Sequence, residues 1–139
     1  MIREIIKEQL LLERSIAKIK ANIFINFDLR HLPGKHAEKR QFRHVGQSGL
    51  VIHDVDILRL TEKVLDDIAF SITMGEIQDG VRFIVSDDNY PYLNLIIEPK
   101  EVDPYQWTLF VVTTMHKQDF AIGRNQLHFK PNGKSLSVF

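Results

Sequence analysis

The chain contains no cysteine, which removes disulfide staples, thiolate metal sites and cysteine nucleophiles from consideration. It has no apolar run approaching the ~20 residues that span a bilayer. Its opening, Met1-Ile2-Arg3-Glu4, is interrupted by charge too early for a signal peptide, so a cytoplasmic protein with no membrane partner is expected. There is no excess charge of either sign, because 18 basic and 18 acidic residues cancel. Proteins that coat nucleic acid are usually basic overall. No Walker loop, GxGxxG, GxSxG or zinc-spaced pair occurs, which excludes most nucleotide-binding and hydrolase readings. Internal repeats and low-complexity stretches are also missing.

What is present is ordinary globular material: 139 residues, 44% hydrophobic and 26% charged, enough for one domain with a real core. The zero net charge hides an uneven distribution. Between Arg30 and His44 five cations (Arg30, Lys35, Lys39, Arg40, Arg43) face one acid, Glu38. From Thr61 to Phe110 three cations face ten acids, and after Phe110 the tail is basic again through Lys117, Arg124, Lys130 and Lys134. A basic surface therefore requires the first and last thirds of the chain to meet.

Apolar residues at Ile2, Ile5, Ile6, Leu10, Leu12, Ile16 and Ile19 recur at spacings of three and four, predicting an amphipathic helix over 2–20. Such a helix packs on the domain or inserts into a partner's groove. Ile23 to Phe27 reads as a short strand, and Leu32-Pro33-Gly34 as a turn. A second helix is expected from Lys35 to about Val45. A third is expected from an Asp54 cap to about Phe70, with Val55, Leu58, Leu60, Val64, Leu65 and Ile68 as its apolar stripe. Strand patterns follow at Val81–Val85, Tyr92–Ile97, Thr108–Met115 and Gln126–Lys130, the last leading into a Pro131-Asn132-Gly133 turn and a short tail. Helices first and an antiparallel meander afterwards predict an α+β fold rather than a doubly wound sheet. The expected layout is a single domain over 1–139, with 1–27 as an N-terminal helix and short strand that either packs on the rest or serves as a docking extension.

Two constellations carry chemistry. In Lys35-His36-Ala37-Glu38-Lys39-Arg40-Gln41-Phe42-Arg43-His44, a turn of ~100° per residue puts His36, Arg40 and Arg43 on one helix face. Nearby guanidiniums disfavour the imidazolium, so His36 is expected to be a neutral proton acceptor near pH 7. Arginines clamp phosphate through paired hydrogen bonds. A base, cations for a crowded phosphorane and an acid for the leaving oxygen are the parts that cleave RNA through its own 2′-hydroxyl. The alternative is a solvated basic helix. In Val111-Val112-Thr113-Thr114-Met115-His116-Lys117, a strand runs out of its apolar stretch at a rim. Alternation puts Thr114 and His116 on one face there, with Lys117 opposite; the alternative is an exposed strand end. His31, His53 and His128 read as surface or structural residues, and Asp87-Asp88 as a turn rather than a magnesium site. No metal and no cofactor are expected.

The stretch HAEKRQFR from His36, then LTEK, DGVRFIVSD, YLNLII and VVTTMHKQDF, resembles small phage-encoded proteins with an H-x-x-x-R helix and a T-x-M-x-K strand end. These are similar to the BrnT, RelE and RegB endoribonucleases of the barnase–EndoU–colicin–RelE superfamily. The resemblance covers about residues 35 to 130. It implies a RelE/barnase-like core over 35–130, with N-terminal helices packed on one face of an antiparallel sheet of four or five strands, RNA lying across the sheet, and metal-independent cleavage of single-stranded RNA, free or at the ribosome. By that likeness His36, Arg40, His116 and Lys117 are the catalytic candidates, and Lys39, Arg43, His44, Thr114 and Arg124 the substrate-binding ones. The same scaffold without activity would be a virion-associated or protein-interaction module, docked on a host or virion protein through the N-terminal helix, or an RNA-binding regulator.

Overall fold

The structure, a computed structural model, describes residues 15–33, 52–89, 91–117, 126–131 and 133–136. The described chain begins as a hairpin, β1 (Ser15–Lys20) and β2 (Asn26–His31). The helix α1 (Asp54–Thr73) follows, then β3 (Phe83–Ser86), β4 (Leu93–Asp103), β5 (Gln106–His116), β6 (Leu127–Lys130) and β7 (Gly133–Leu136). The seven strands form one sheet in the order β1-β2-β5-β4-β3-β6-β7.

This overturns the expected architecture. Among the described residues there is one helix, and the sheet is mixed rather than antiparallel: β2 pairs parallel with β5, and β3 parallel with β6. The predicted N-terminal helix is a strand over residues 15–20; its earlier part lies outside the described residues, as does the helix expected over 35–45. The reason is local. Ile16 and Ile19 have helical spacing, but a register shift between Ser15 and Ala17 breaks the strand's period of two. That irregularity imitates a helical interval. Lys18 and Lys20, both exposed, then point away from the core, and lysine on an edge strand blunts further pairing. β2 begins three residues later than expected, because Ile23 and Phe24 form the hairpin turn. Asp28 and Arg30, which pair with each other, alternate with buried Phe27, Leu29 and His31.

α1 forms where the 3.6-residue period is clearest. Ile57, Leu60, Val64, Leu65, Ile68 and Ala69 make one buried stripe. Its cap is His53 rather than Asp54: His53 is extended, and its backbone N–H donates to the Asp56 carboxylate at 3.0 Å. Asp54 and Asp56 in the first turn suit the helix dipole. Gly75, at φ 75°, ends the helix in the left-handed region with its N–H on the Ile72 carbonyl at 3.0 Å. The stripe packs on Phe27, Leu29, Phe83, Val85, Leu95, Ile97, Leu109, Val111 and Phe129. Phe83 and Phe129 meet edge to face at 5.2 Å. No helix among the described residues is long and apolar enough to cross a membrane.

Candidate functional site

The pairings fix strand directions. β2, β3, β5 and β6 run one way and β1, β4 and β7 the other. β2, β3 and β5 therefore finish at one end of the sheet, where the His31–Asp54 contact also puts the start of α1. This end, the rim, carries Thr114, His116 and Lys117. The opposite end carries the β1–β2 and β4–β5 turns and the end of α1.

A bulge sets the side-chain directions at the rim. Against β4, β5 has Val111 opposite Ile97 and Thr113 opposite Ile96, with a register shift between them. Before it, Trp107, Leu109 and Val111 face α1. After it the parity changes, so Thr114 and His116, opposite Leu95 and Leu93, face that side instead. Bulges commonly re-aim side chains in this way.

At the rim end of that face, three buried polar atoms have no hydrogen-bond partner among the described residues: His31 Nδ1, Thr114 Oγ1 and His116 Nε2. The tautomer of each imidazole follows from its other nitrogen. His116 Nδ1 lies 2.9 Å from the Pro91 carbonyl. A carbonyl only accepts, so Nδ1–H donates and the neutral ring keeps its lone pair on Nε2. His31 Nε2 lies 2.8 Å from Asp54 Oδ1, so Nε2–H donates, and in the neutral ring Nδ1 carries the lone pair. His31 pairs with Val111 across β2 and β5. Thr114 is thus roughly 7 to 10 Å further along the neighbouring strand, at ~3.3 Å per residue. These groups share a face and an end of the sheet.

Behind the rim, on the sheet's other face, a buried network fixes the turn between β3 and β4. Asn94 donates through Nδ2 to the carbonyls of Tyr92 (3.0 Å) and Lys117 (2.8 Å). Its Oδ1 accepts from Ser86 Oγ at 2.6 Å, and Ser86 Oγ lies 2.6 Å from His128 Nε2. The two donations by Asn94 fix its amide orientation, so the Ser86 proton goes to Asn94 and the serine accepts from His128 Nε2–H. A serine activated by histidine needs the opposite polarity, so this pair is not a nucleophile and its base. Burial, with the Lys130 charge second, holds the His128 pKa below its ordinary value of 6.5, against a smaller upward pull from Asp88. His128 is therefore a neutral structural donor.

His36, Lys39, Arg40, Arg43, His44 and Arg124 lie outside the described residues. Thr114 and His116 come together on one face, and Lys117 is exposed at the strand's end with its N–H on the Tyr92 carbonyl at 3.0 Å. Asp87 and Asp88 are turn residues: Asp87 Oδ1 accepts from the Asn89 N–H at 2.9 Å, and the two carboxylates pair with Lys63 and Lys130. Among the described residues no group of three or more acidic or histidine side chains is placed to hold a metal. Sequence reasoning missed the His31–Asp54 pair, 23 residues apart, and the Ser86–His128 pair, 42 apart. The one signal for His31 was its place as the third inward residue after Phe27 and Leu29. No protein-family model, no curated protein and no solved structure matches this chain.

Proposed function

We propose that the chain is a metal-independent endoribonuclease acting at the rim where β2 and β5 end, with His116 as a proton-transfer group. The observation that carries the reading is the His116 tautomer: Nδ1 is committed to the Pro91 carbonyl, and Nε2, on the face shared with Thr114, has no partner among the described residues. Topology supports it. The basic stretch with His36, Arg40 and Arg43 leaves the described chain after Pro33 and re-enters at Ile52, on either side of the His31–Asp54 contact. Both of its anchors are therefore at the rim. In the proposed reaction a neutral imidazole takes the 2′-hydroxyl proton, the 2′-oxygen attacks phosphorus, and the 5′-oxygen leaves with a proton from a second group. The products are a 2′,3′-cyclic phosphate and a free 5′-hydroxyl. His36 and His116 would share the two proton transfers, and Arg40, Arg43 and Lys117 would stabilise the phosphorane.

The enclosure of His116 Nε2 favours a second reading, an RNA-binding regulator that uses the same basic stretch without cutting. A labelled RNA of mixed sequence, incubated in EDTA with the wild type, His36→Ala and His116→Ala, separates the two. Cleavage to cyclic phosphate ends that both substitutions abolish, and that 2′-O-methyl RNA resists, is the expected result. Retained cleavage by His116→Ala removes that residue from the mechanism. A shifted but uncut RNA establishes the regulator.

A further inference from the structure

The end of the sheet away from the rim presents an apolar surface that RNA chemistry does not use. The turn between β1 and β2 exposes Ile23 and Phe24, the turn between β4 and β5 exposes Tyr105, and the end of α1 exposes Phe70 and Met74. Between them lies an open groove of about 410 Å³ lined by Ile23, Phe24, Ile72, Pro104, Tyr105 and Trp107, among others. That volume lies within the ~300–1,000 Å³ range of ligand-binding clefts. Phe24 is 75% exposed and Tyr105 68%, so neither ring serves the core.

The backbone under Phe24 points the same way. Its φ is +34°, a region that a bulky non-glycine residue adopts at a cost of order 1 kcal/mol or more. Glycine or asparagine would fit this turn more easily. An aromatic ring held outward at a strained position, beside a groove, is the arrangement of a recognition residue.

Charge identifies the occupant. Glu101 lines the groove and Asp103 is exposed at the same turn. Asp66 accepts from the Asn22 backbone and side chain beside Ile23, both at 2.9 Å, and Asp79 accepts from the Glu101 N–H at 2.8 Å. Asp103 accepts from the Tyr105 N–H at 2.8 Å. The hydrogen bonds of Asp66, Asp79 and Asp103 come from uncharged amides, so their negative charge is not cancelled there. Lys20, 6.0 Å from the Phe24 ring, is the cation tied to this surface. One carboxylate in the lining, a second at the same turn and two more bonded to Asn22 and Glu101 fit cations flanking an apolar stripe, and disfavour nucleic acid or an anionic lipid surface.

We propose that this groove binds a basic amphipathic segment of a partner protein, with apolar side chains entering between Phe24 and Tyr105 and cations meeting Glu101, Asp103, Asp66 and Asp79. Helix-in-groove recognition uses apolar anchors one turn apart in this way. The chain's single tryptophan, Trp107, lines the groove and reports occupancy directly.

The test titrates the full chain with a synthetic helix-forming leucine–lysine peptide while Trp107 emission is followed. Saturable change is expected with this peptide. None is expected with a leucine–glutamate peptide of the same pattern, or with a permuted leucine–lysine peptide that has no apolar face. The double variant Phe24→Ser/Tyr105→Ser and the charge reversal Glu101→Lys/Asp103→Lys should each weaken binding at least about tenfold, a loss of about 1.4 kcal/mol. All four side chains are exposed, and matching urea midpoints verify that the fold is kept. Equal binding by wild type and both variants, equal binding of the permuted peptide, or no binding at all would each overturn the proposal. So would a wild-type dimer in sedimentation that Phe24→Ser dissociates, since the occupant would then be a second copy.

Discussion

Replacing Asn94 by alanine tests whether the buried network behind the rim holds the rim in place. The side chain is 3% exposed and makes three hydrogen bonds, one accepted from Ser86 and two donated to the carbonyls of Tyr92 and Lys117. Each such bond contributes about 1 kcal/mol net, and a buried partner left unsatisfied costs about 1–3 kcal/mol. Ser86 Oγ retains His128 and the Tyr92 carbonyl retains the Lys117 N–H, so only part of that penalty applies. The expected loss is about 2–4 kcal/mol. With a urea m-value of about 2 kcal/mol/M for a domain of this size, the midpoint should fall by roughly 1–2 M. Melting should drop on the order of 10 °C. Asn94→Asp should be worse than alanine, because a carboxylate would face two carbonyls that need donors. A midpoint within 0.3 M or so of wild type for both variants would refute the reasoning.

His128 supplies a pH dependence whose sign follows from its lowered pKa. Above about 6.5 the residue is neutral folded or unfolded, and below it the unfolded chain takes up the proton first, so stability declines as pH falls from 6.5 towards the folded value. His128→Gln should flatten that decline in urea midpoints measured from pH 7.5 to 5, and an unchanged slope would assign it elsewhere. Gly75→Ala places a side chain at φ 75° with open space around it, so backbone strain alone should cost about 1 kcal/mol, seen as a lower midpoint with an unchanged m-value. Phe24→Asn should leave stability unchanged or raise it by up to about 1 kcal/mol while abolishing peptide-induced change in Trp107 emission. Phe129→Ala, fully buried against Phe83, should cost about 3–5 kcal/mol by thermal unfolding.

What the sequence made legible was whatever repeats at short range. The stripe Leu60, Val64, Leu65 and Ile68 located α1 because it sustains one period over about two and a half turns. The runs at 81–85, 92–97 and 108–115 located the cores of β3, β4 and β5 because apolar alternation survives where a strand is flanked on both sides. β1 was read as helix because a bulge turned a period of two into an interval of three. β2 was obscured because its outward residues, Asp28 and Arg30, pair with each other and so tolerate half-burial. The parallel pairings leave no local mark, since each joins segments separated by long crossovers whose partners only the folded sheet selects. The same holds for the rim. That Thr114 and His116 share a face was open to simple alternation, but the face they share was not, because the bulge at Val112 decides it. Nothing in spacing could pair His31 with Asp54.

The bulge, the network and the strained turn together explain why unpartnered buried polar groups gather at one end of this sheet and exposed apolar ones, with carboxylates beside them, at the other. Between the two ends β4 and β5 run side by side for almost their full length, from Leu93–His116 to Asp103–Gln106, and a paired ribbon of that kind is stiff. At the rim the bulge turns Thr114 and His116 towards α1 while Asn94 holds the backbone that carries Lys117, so side chains there are oriented by main-chain hydrogen bonds. At the far end hydrogen bonds to Asp66 and Asp103 fix the two tight turns that carry Phe24 and Tyr105, while the rings themselves stand exposed. A group that transfers protons must be fixed to within a fraction of an ångström, whereas an apolar anchor needs only exposure and a partner that covers it. Substitutions at the far end should therefore change association without altering the orientation of His116, and substitutions in the Asn94 network should do the reverse.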